Sequence, residues 1–128
     1  MIADSSALVA VVIEEPEFEA VWDRLGAAEN VGVWAPTLFE AAMVLRARLG
    51  PSARTLLGAV SEQIAIEVLA FDDRHWPVAL DAFTRFGKGR HPAGLNFGDC
   101  LAYATASVAG EPLLCLGDGF AQTDLELA

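Results

Sequence analysis

The sequence is poor in several features that would each point to a particular class of protein. Only two cysteines and two histidines occur among its 128 residues, which is too few for a disulfide-stapled or zinc-held chain. No apolar stretch approaches the roughly 20 residues of a membrane span, and Met1–Asp4 lacks the basic segment of a secretory signal. We therefore expect a cytoplasmic protein with reduced cysteines, no membrane segment and a single domain over residues 1–128.

Positive charge is scarce as well. Eight Lys and Arg residues stand against 18 Asp and Glu residues, so the formal net charge is −10. This balance excludes a broad basic face that binds nucleic acid without regard to sequence. Three of the basic residues nevertheless fall in one short window, namely Arg85, Lys88 and Arg90, with His91 beside them. We interpret this segment as the best candidate for contacts with a phosphate backbone, and a solvated polar loop is the alternative.

Apolar residues recur at spacings that alternate between strand and helix along the chain. Capping residues, glycines and prolines mark the segment ends. The predicted elements are a strand Met1–Ala3, a helix Ser5–Ile13 opened by serine caps, a helix with Pro16 at its first position that ends at Gly26 or Gly32, a strand Val31–Trp34, helices Pro36–Leu49 and Ser52–Ala65, a strand Glu67–Phe71, a helix from Asp72 or Asp73 to Phe86, a loop Gly87–Leu95, a helix Asn96–Val108, a strand Leu113–Leu116 and a last strand Leu125–Leu127. Strands that alternate with helices indicate an α/β fold with a mainly parallel sheet.

Four carboxylates fall at the ends of these strands or at the starts of these helices. Asp4 and Asp118 follow predicted strands, while Glu40 and Asp99 lie in the first turns of predicted helices. A right-handed parallel fold tends to bring such positions to one edge of the sheet. Stabilisation of the helix dipole alone would also account for Glu40 and Asp99, so both interpretations of these two residues stay open.

Carboxylates that converge in this way repel one another and need a cation or protons between them. Ligation by oxygen alone favours Mg²⁺ or Mn²⁺ over Zn²⁺, and neither His nor Cys shows zinc-type spacing. A cation held by carboxylates suits in-line displacement at phosphorus, so hydrolysis of a phosphodiester is the reaction class that we predict. Ser6 is a candidate for orienting Asp4, or for capping the helix that follows.

Several stretches of the chain form a more specific pattern. They are Ile2–Leu8, where an Asp precedes small hydroxyl residues, Ala35–Glu40, where a Glu starts a helix, Phe86–His91 leading to Leu95–Cys100, and Pro112–Leu114 followed by Gly117–Phe120 and Thr123–Asp124. Together they resemble the PIN-domain nucleases, in particular the VapC-type toxins of bacterial toxin–antitoxin pairs, over nearly the whole chain. Relatives often carry an acidic residue directly before the Phe at position 120, where this chain has Gly119.

The resemblance implies a PIN-like three-layer α/β/α sandwich with a central mainly parallel sheet. It also implies a Mg²⁺-dependent endoribonuclease toxin, a cognate antitoxin that folds onto the nuclease, and a homodimer. The site residues expected on this basis are Asp4, Glu40, Asp99 and Asp118 as metal ligands and catalytic residues, Ser6 as a further catalytic residue, and Arg85, Lys88, Arg90 and His91 as contacts to RNA. Asp124 is the alternative to Asp118 as the fourth carboxylate.

Two functions of other classes are weighed against a nuclease. A PIN-like module that binds RNA or a protein without cutting is suggested by the altered motif at Gly119. A receiver-like phosphoacceptor should have an acidic pair after the first strand and a Lys near the end of the chain. Asp4 is instead followed by two serines, and the only lysine is Lys88, so the sequence argues against a receiver.

Overall fold

Four short parallel strands form the central sheet of the computed structural model, which describes residues 1–128. The strands are β1 (Ile2–Ala3), β2 (Gly32–Trp34), β3 (Glu67–Leu69) and β4 (Leu113–Leu114). Their order across the sheet is β3-β2-β1-β4, and every neighbouring pair is parallel. The predicted parallel sheet is confirmed. The predicted last strand Leu125–Leu127 is reduced to one bridging residue, Leu127, beside Leu113.

Six α-helices connect and flank the strands. They are α1 (Ser5–Val12), α2 (Phe18–Ala27), α3 (Ala35–Leu49), α4 (Ala53–Gln63), α5 (His75–Phe86) and α6 (Phe97–Ala109), with short 3-10 turns at Gly50–Ser52 and Phe120–Gln122. These bounds lie close to the predicted ones. Pro16 was wrongly placed at a first helical position, because α2 begins at Phe18 and Pro16 lies in the preceding turn. None of the helices combines the length and the apolar character that crossing a membrane requires.

Different helices cover the two faces of the sheet. Successive strand side chains point to opposite faces, so Ala3 and its neighbour Ile2 enter different cores. Ala3 packs in one buried cluster with Leu8 of α1 and Leu45 of α3. Ile2 packs in a second cluster with residues of α5 and α6, among them Tyr103. The sheet therefore lies between two helical layers, and the three-layer sandwich is confirmed.

Side-chain caps begin the two helices that carry candidate site residues. Asp4 caps α1 by accepting a hydrogen bond from the Ser6 N–H at 3.0 Å, so the predicted serine caps were wrong. Asn96 caps α6 as predicted, and its side chain accepts from the Asp99 N–H at 2.9 Å. The Asp99 carboxylate accepts in return from the Asn96 N–H at 2.8 Å, which completes a capping box. Caps of this kind contribute about 1 kcal/mol each, and here they also fix two carboxylates at helix starts.

Candidate active site

Three of the four predicted carboxylates lie within electrostatic range of one another at the carboxyl edge of the sheet. Asp4 directly follows β1, Glu40 lies on α3 beyond β2, and Asp99 is the third residue of α6. Their coupling is visible in their pKa values, because the charge of Asp4 helps to raise the pKa of both Glu40 and Asp99. No Lys or Arg contributes to either shift. The three form an acidic group with no internal cation, which we call the acidic site.

Asp4 is the buried and fixed member of the acidic site. Only 6% of its surface is exposed. Its Oδ2 accepts from the Ser6 N–H at 3.0 Å and from the Ser6 hydroxyl at 2.6 Å. The same hydroxyl oxygen accepts from the Leu116 N–H at 3.0 Å, just after β4. Ser6 therefore orients Asp4 and joins it to a second strand end, whereas the cap itself is formed by the Asp4 side chain.

Glu40 and Asp99 are half-buried and approach each other from different helices. Burial is the largest cause of the raised pKa of each carboxyl. The Ser5 side chain opposes the shift at Glu40. Because α3 begins at Ala35, Glu40 lies in its second turn, beyond the first turn where a helix dipole acts strongly. The helix-dipole explanation therefore fits Asp99 better than Glu40.

Gly98 makes room for this approach, and the sequence alone did not reveal its role. A Cβ at this position would stand 3.1 and 3.2 Å from the two carboxylate oxygens of Glu40. Such contacts are tighter than most contacts of a Cβ atom, so a side chain here would make the Glu40 carboxylate shift by a few tenths of an ångström. The absence of a side chain at Gly98 thus lets the Glu40 carboxylate reach the first turn of α6.

Cys115 is a second neighbour that sequence reasoning missed. Burial, followed by the charges of Asp4 and Asp99, raises the pKa of its thiol to about 11. Its position directly after β4 was the available signal, since parallel strands end at a common edge. Both this cysteine and Cys100 are free thiols, as predicted. The high pKa keeps the Cys115 thiol protonated and therefore a poor nucleophile or metal ligand.

The acidic site has the donor atoms that a hard cation prefers, but its side chains do not surround a metal position. Its donors are all carboxylates, and two of them have raised pKa values that a nearby cation would lower. No group of three or more His, Cys, Asp or Glu side chains is arranged closely enough to hold a metal ion. The donor set therefore fits Mg²⁺ or Mn²⁺, while the side-chain geometry is open.

The two candidates for a fourth carboxylate lie apart from this group. Asp118 is exposed, contributes to neither raised pKa, and accepts from the Gln122 side chain through its backbone carbonyl at 3.3 Å. Asp124 accepts from the Tyr103 hydroxyl and from the Arg85 guanidinium, both at 2.6 Å. These hydrogen bonds lower the pKa of Asp124, and it in turn helps to raise that of Tyr103 to about 12. Asp124 thus links α5 to α6, and a role for Asp118 stays a prediction.

The segment Arg85–His91, which we call the basic loop, offers two unpaired cations. Lys88 and Arg90 are exposed and form no ion pair, although the Arg90 guanidinium lies 5.1 Å from the Phe83 ring centroid. Arg85 is neutralised by the two carboxylates of Asp81 and Asp124. His91 is half-buried, and its Nδ1 accepts a hydrogen bond from the Ala93 N–H at 3.1 Å. Lys88 and Arg90 are therefore the members of the loop best placed to meet a phosphate.

The chain matches known proteins along almost its full length. Residues 1–126 match the family model described as PIN domain. Ribonuclease VapC36 of Mycobacterium tuberculosis is 46% identical over 127 residues, which cover 98% of this chain and 91% of the relative. Ribonuclease VapC of Mycolicibacterium smegmatis is 36% identical over 125 residues, covering 98% of this chain and 97% of the relative.

Solved structures share the fold at lower sequence identity. VapC20 of Mycobacterium tuberculosis, described as a sarcin-ricin loop cleaving toxin, superposes with a TM-score of 0.80 at 15% identity, covering 99% of this chain and 97% of VapC20. VapBC2 of Rickettsia felis, solved bound to a DNA fragment from its promoter, gives a TM-score of 0.77 at 14% identity, covering 99% of this chain and 96% of that one. The fold, the family match and the VapC relatives agree, and the chain belongs to the PIN-domain family, among its VapC-type members.

Proposed function

We propose that this protein is a metal-dependent endoribonuclease and the toxin of a toxin–antitoxin pair. The observation that carries the proposal is the acidic site at the edge of the sheet, where the charge of Asp4 helps to raise the pKa of both Glu40 and Asp99. Identity of 46% with a VapC ribonuclease over 98% of the chain supports the same activity. Groups of carboxylates that lack a cation of their own are typical of Mg²⁺ sites that act on phosphodiesters.

The metal that we propose is Mg²⁺, with Mn²⁺ as the alternative, held by Asp4, Glu40 and Asp99. Asp118 is a further candidate ligand on the strength of its motif. A cation bound there would neutralise charge on the phosphodiester and activate water for attack at phosphorus. Since a cation favours the charged form of a carboxyl, its binding should lower the raised pKa values of Glu40 and Asp99.

The protein's own side chains prepare this site. Both hydrogen bonds from Ser6 fall on Oδ2 of Asp4, so Oδ1 is left available for a ligand. The capping box holds Asp99 at the start of α6. Gly98 leaves space for the Glu40 carboxylate, as its close contacts indicate. We propose that Lys88 makes the main contact of the basic loop with phosphates of the RNA backbone.

The test is cleavage of purified RNA in the presence of Mg²⁺. We expect Asp99→Asn to lower cleavage at least about 100-fold, because catalysis through a stabilised transition state loses this much when one charged group is removed. Asp23→Asn is the matched control, since Asp23 is an exposed residue on α2 away from the site. Cleavage by Asp99→Asn at the rate of the control would contradict the proposal, because the activity would then belong to a contaminant.

We also propose a cognate antitoxin as a partner. The Rickettsia felis neighbour is a VapBC assembly, which supports a partner of this kind. The net charge of −10 and the acidic site favour an antitoxin segment that places an Arg among the carboxylates. Such binding should weaken with salt and with Glu40→Gln. An affinity insensitive to both would contradict this mode of binding.

A homodimer is a further part of the proposal. An apolar groove of about 390 Å³ runs between α5 and α6 and is lined entirely by hydrophobic residues, among them Trp76, Leu80, Phe83 and Phe97. Trp76 is 58% and Phe97 81% exposed, which is unusual for side chains of this size. Sedimentation at several protein concentrations measures the association, and Trp76→Glu should weaken it if this surface is the interface.

A catalytically weak binding module is the second candidate. The open geometry of the acidic site favours it, since no three ligands are close enough to hold a metal ion. Gly119, in place of the acidic residue that relatives often carry, points the same way. RNA binding without cleavage in either Mg²⁺ or Mn²⁺ would select this function over the nuclease.

A further inference from the structure

A continuous depression leads away from the acidic site along α3. One groove of about 250 Å³ is lined by Glu40, Phe39 and Met43 among other residues. A second groove of about 430 Å³ shares Phe39 and Met43 and is lined in addition by Arg46 and Arg54. Because the two grooves share residues, they form one surface, which we call the α3 groove.

The two arginines of the α3 groove are unpaired in a protein where acidic residues are abundant. Arg46 and Arg54 are exposed and form no ion pair, although 18 acidic residues are present. Arg48, on the same helix as Arg46, is held by Glu15 at 3.0 Å. Free guanidinium groups on an acidic protein indicate a surface that receives an anion from outside, since Arg binds phosphate through two parallel hydrogen bonds.

The spacing of these residues suits an extended ligand. Phe39, Met43 and Arg46 follow one another at i, i+4 and i+7, so they lie along one side of α3. At 1.5 Å per residue, this row is about 10 Å long. The Phe39 ring is 67% exposed and presents an aromatic face on which a base can stack.

We propose that a single RNA strand follows the α3 groove away from the acidic site, with phosphates on Arg46 and Arg54 and one base against Phe39. The proposal rests on the proposed ribonuclease function for its substrate, and it adds a binding track that is separate from the basic loop. RNA is the occupant that the charges favour, because the free side-chain charges in this part of the groove are positive and the exposed ring beside them is aromatic.

The experiment measures binding of a fluorescein-labelled single-stranded RNA of mixed sequence in the Asp99→Asn background, so that cleavage does not interfere. Anisotropy titrations at several salt concentrations give the slope of log K against log salt. Each lost phosphate contact should lower that slope by about 0.7. We therefore expect the double variant Arg46→Gln and Arg54→Gln to lower it by about 1.4. Arg48→Gln, which removes a paired arginine of the same helix, should leave it unchanged.

Stacking is tested separately on α3. Phe39→Ala should weaken RNA binding about tenfold, within the range that removal of one stacked base produces. Val44→Ala is its control, because Val44 is an exposed apolar residue of the same helix that lines neither part of the α3 groove. Equal losses in the two variants would overturn the stacking contact.

The outcomes separate this proposal from the proposed activity. In the active protein, the double arginine variant should raise KM and leave kcat unchanged, which supports the track. If the chain binds RNA with the expected change in slope but cleaves none, the track stands and the nuclease fails. A salt slope that is the same in the double variant and in Arg48→Gln overturns the track. The proposal is also overturned if the double variant keeps the salt slope of RNA binding but binds a poly-glutamate peptide more weakly. The α3 groove would then be a binding surface for a protein.

Discussion

Removal of the Ser6 hydroxyl tests whether the acidic site is held from two strand ends at once. Ser6→Ala loses the hydrogen bond to the Asp4 carboxylate at 2.6 Å and leaves the Leu116 N–H without its acceptor at 3.0 Å. A hydrogen bond to a charged group is worth about 1.5–3 kcal/mol, and an unpaired donor adds about 1 kcal/mol when it is partly buried. The better helix propensity of Ala returns about 0.5 kcal/mol. We expect a net loss of about 2–3.5 kcal/mol in the free energy of unfolding.

Urea unfolding followed by circular dichroism measures this loss. With an m value of about 1–3 kcal/mol per molar urea, the midpoint should fall by about 1 M. Ser61→Ala is the control, because the Ser61 hydroxyl donates only to the Leu57 carbonyl within its own helix at 2.7 Å. That variant should change stability by less than about 0.5 kcal/mol. An equal, small effect of both substitutions would refute the view that Ser6 joins α1 to β4.

Three further predictions concern ionisation and space around the site. Burial, and after it the charge of Asp4, raises the pKa of Glu40 and of Asp99 above their unfolded values near about 4. The stability that these carboxyls contribute is therefore present below that pH and is lost as the pH rises through the raised pKa values. Urea titrations of the metal-free protein between pH 4 and 7 should show this fall, and Glu40→Gln should flatten it. The chain has a single tyrosine, so an ultraviolet titration of the phenol measures the pKa of Tyr103 alone. Asp124→Asn should lower this pKa from about 12. Burial is the largest cause of the raised pKa, so the value should stay above that of a free tyrosine. Gly98→Ala should lower RNA cleavage by about three- to tenfold, because it shifts Glu40 by a few tenths of an ångström and a misplacement of about 1 Å costs about 100-fold. It should leave the urea midpoint unchanged or higher, because Ala favours a helix over Gly by about 1 kcal/mol.

Local patterns account for the parts of the site that the sequence predicted. Asp4 and Asp99 were found because one follows a short apolar strand and the other opens a helix after a capping Asn. Both features are set by neighbours within a few residues, where periodicity and capping rules apply. The same rules predicted the four strands and six helices to within a few residues, but they also predicted a last strand at Leu125–Leu127 that is only one bridging residue. They failed at Pro16, since a proline that fits a first helical position fits the turn before a helix equally well.

Contacts between distant segments account for what the sequence did not predict. The partner of Ser6, Leu116, lies 110 positions away along the chain. The space that Gly98 leaves for Glu40 depends on how α6 meets α3. Arg85 was predicted to contact RNA, and its ion pair with Asp124, which lies 39 positions away, was not predicted. Each of these contacts is created by packing between helices and strands, so no local pattern contains it.

The bond between Ser6 and Leu116 also bears on the order in which the acidic site forms during synthesis. The strand end that fixes Asp4 through Ser6 lies 110 positions further along the chain, so it is translated much later than Asp4. A nascent chain that still lacks β4 has no partner for β1 on that side and no backbone N–H for the Ser6 hydroxyl. The Asp4 carboxylate therefore reaches its fixed position only after the segment that contains β4 and Leu116 has been made.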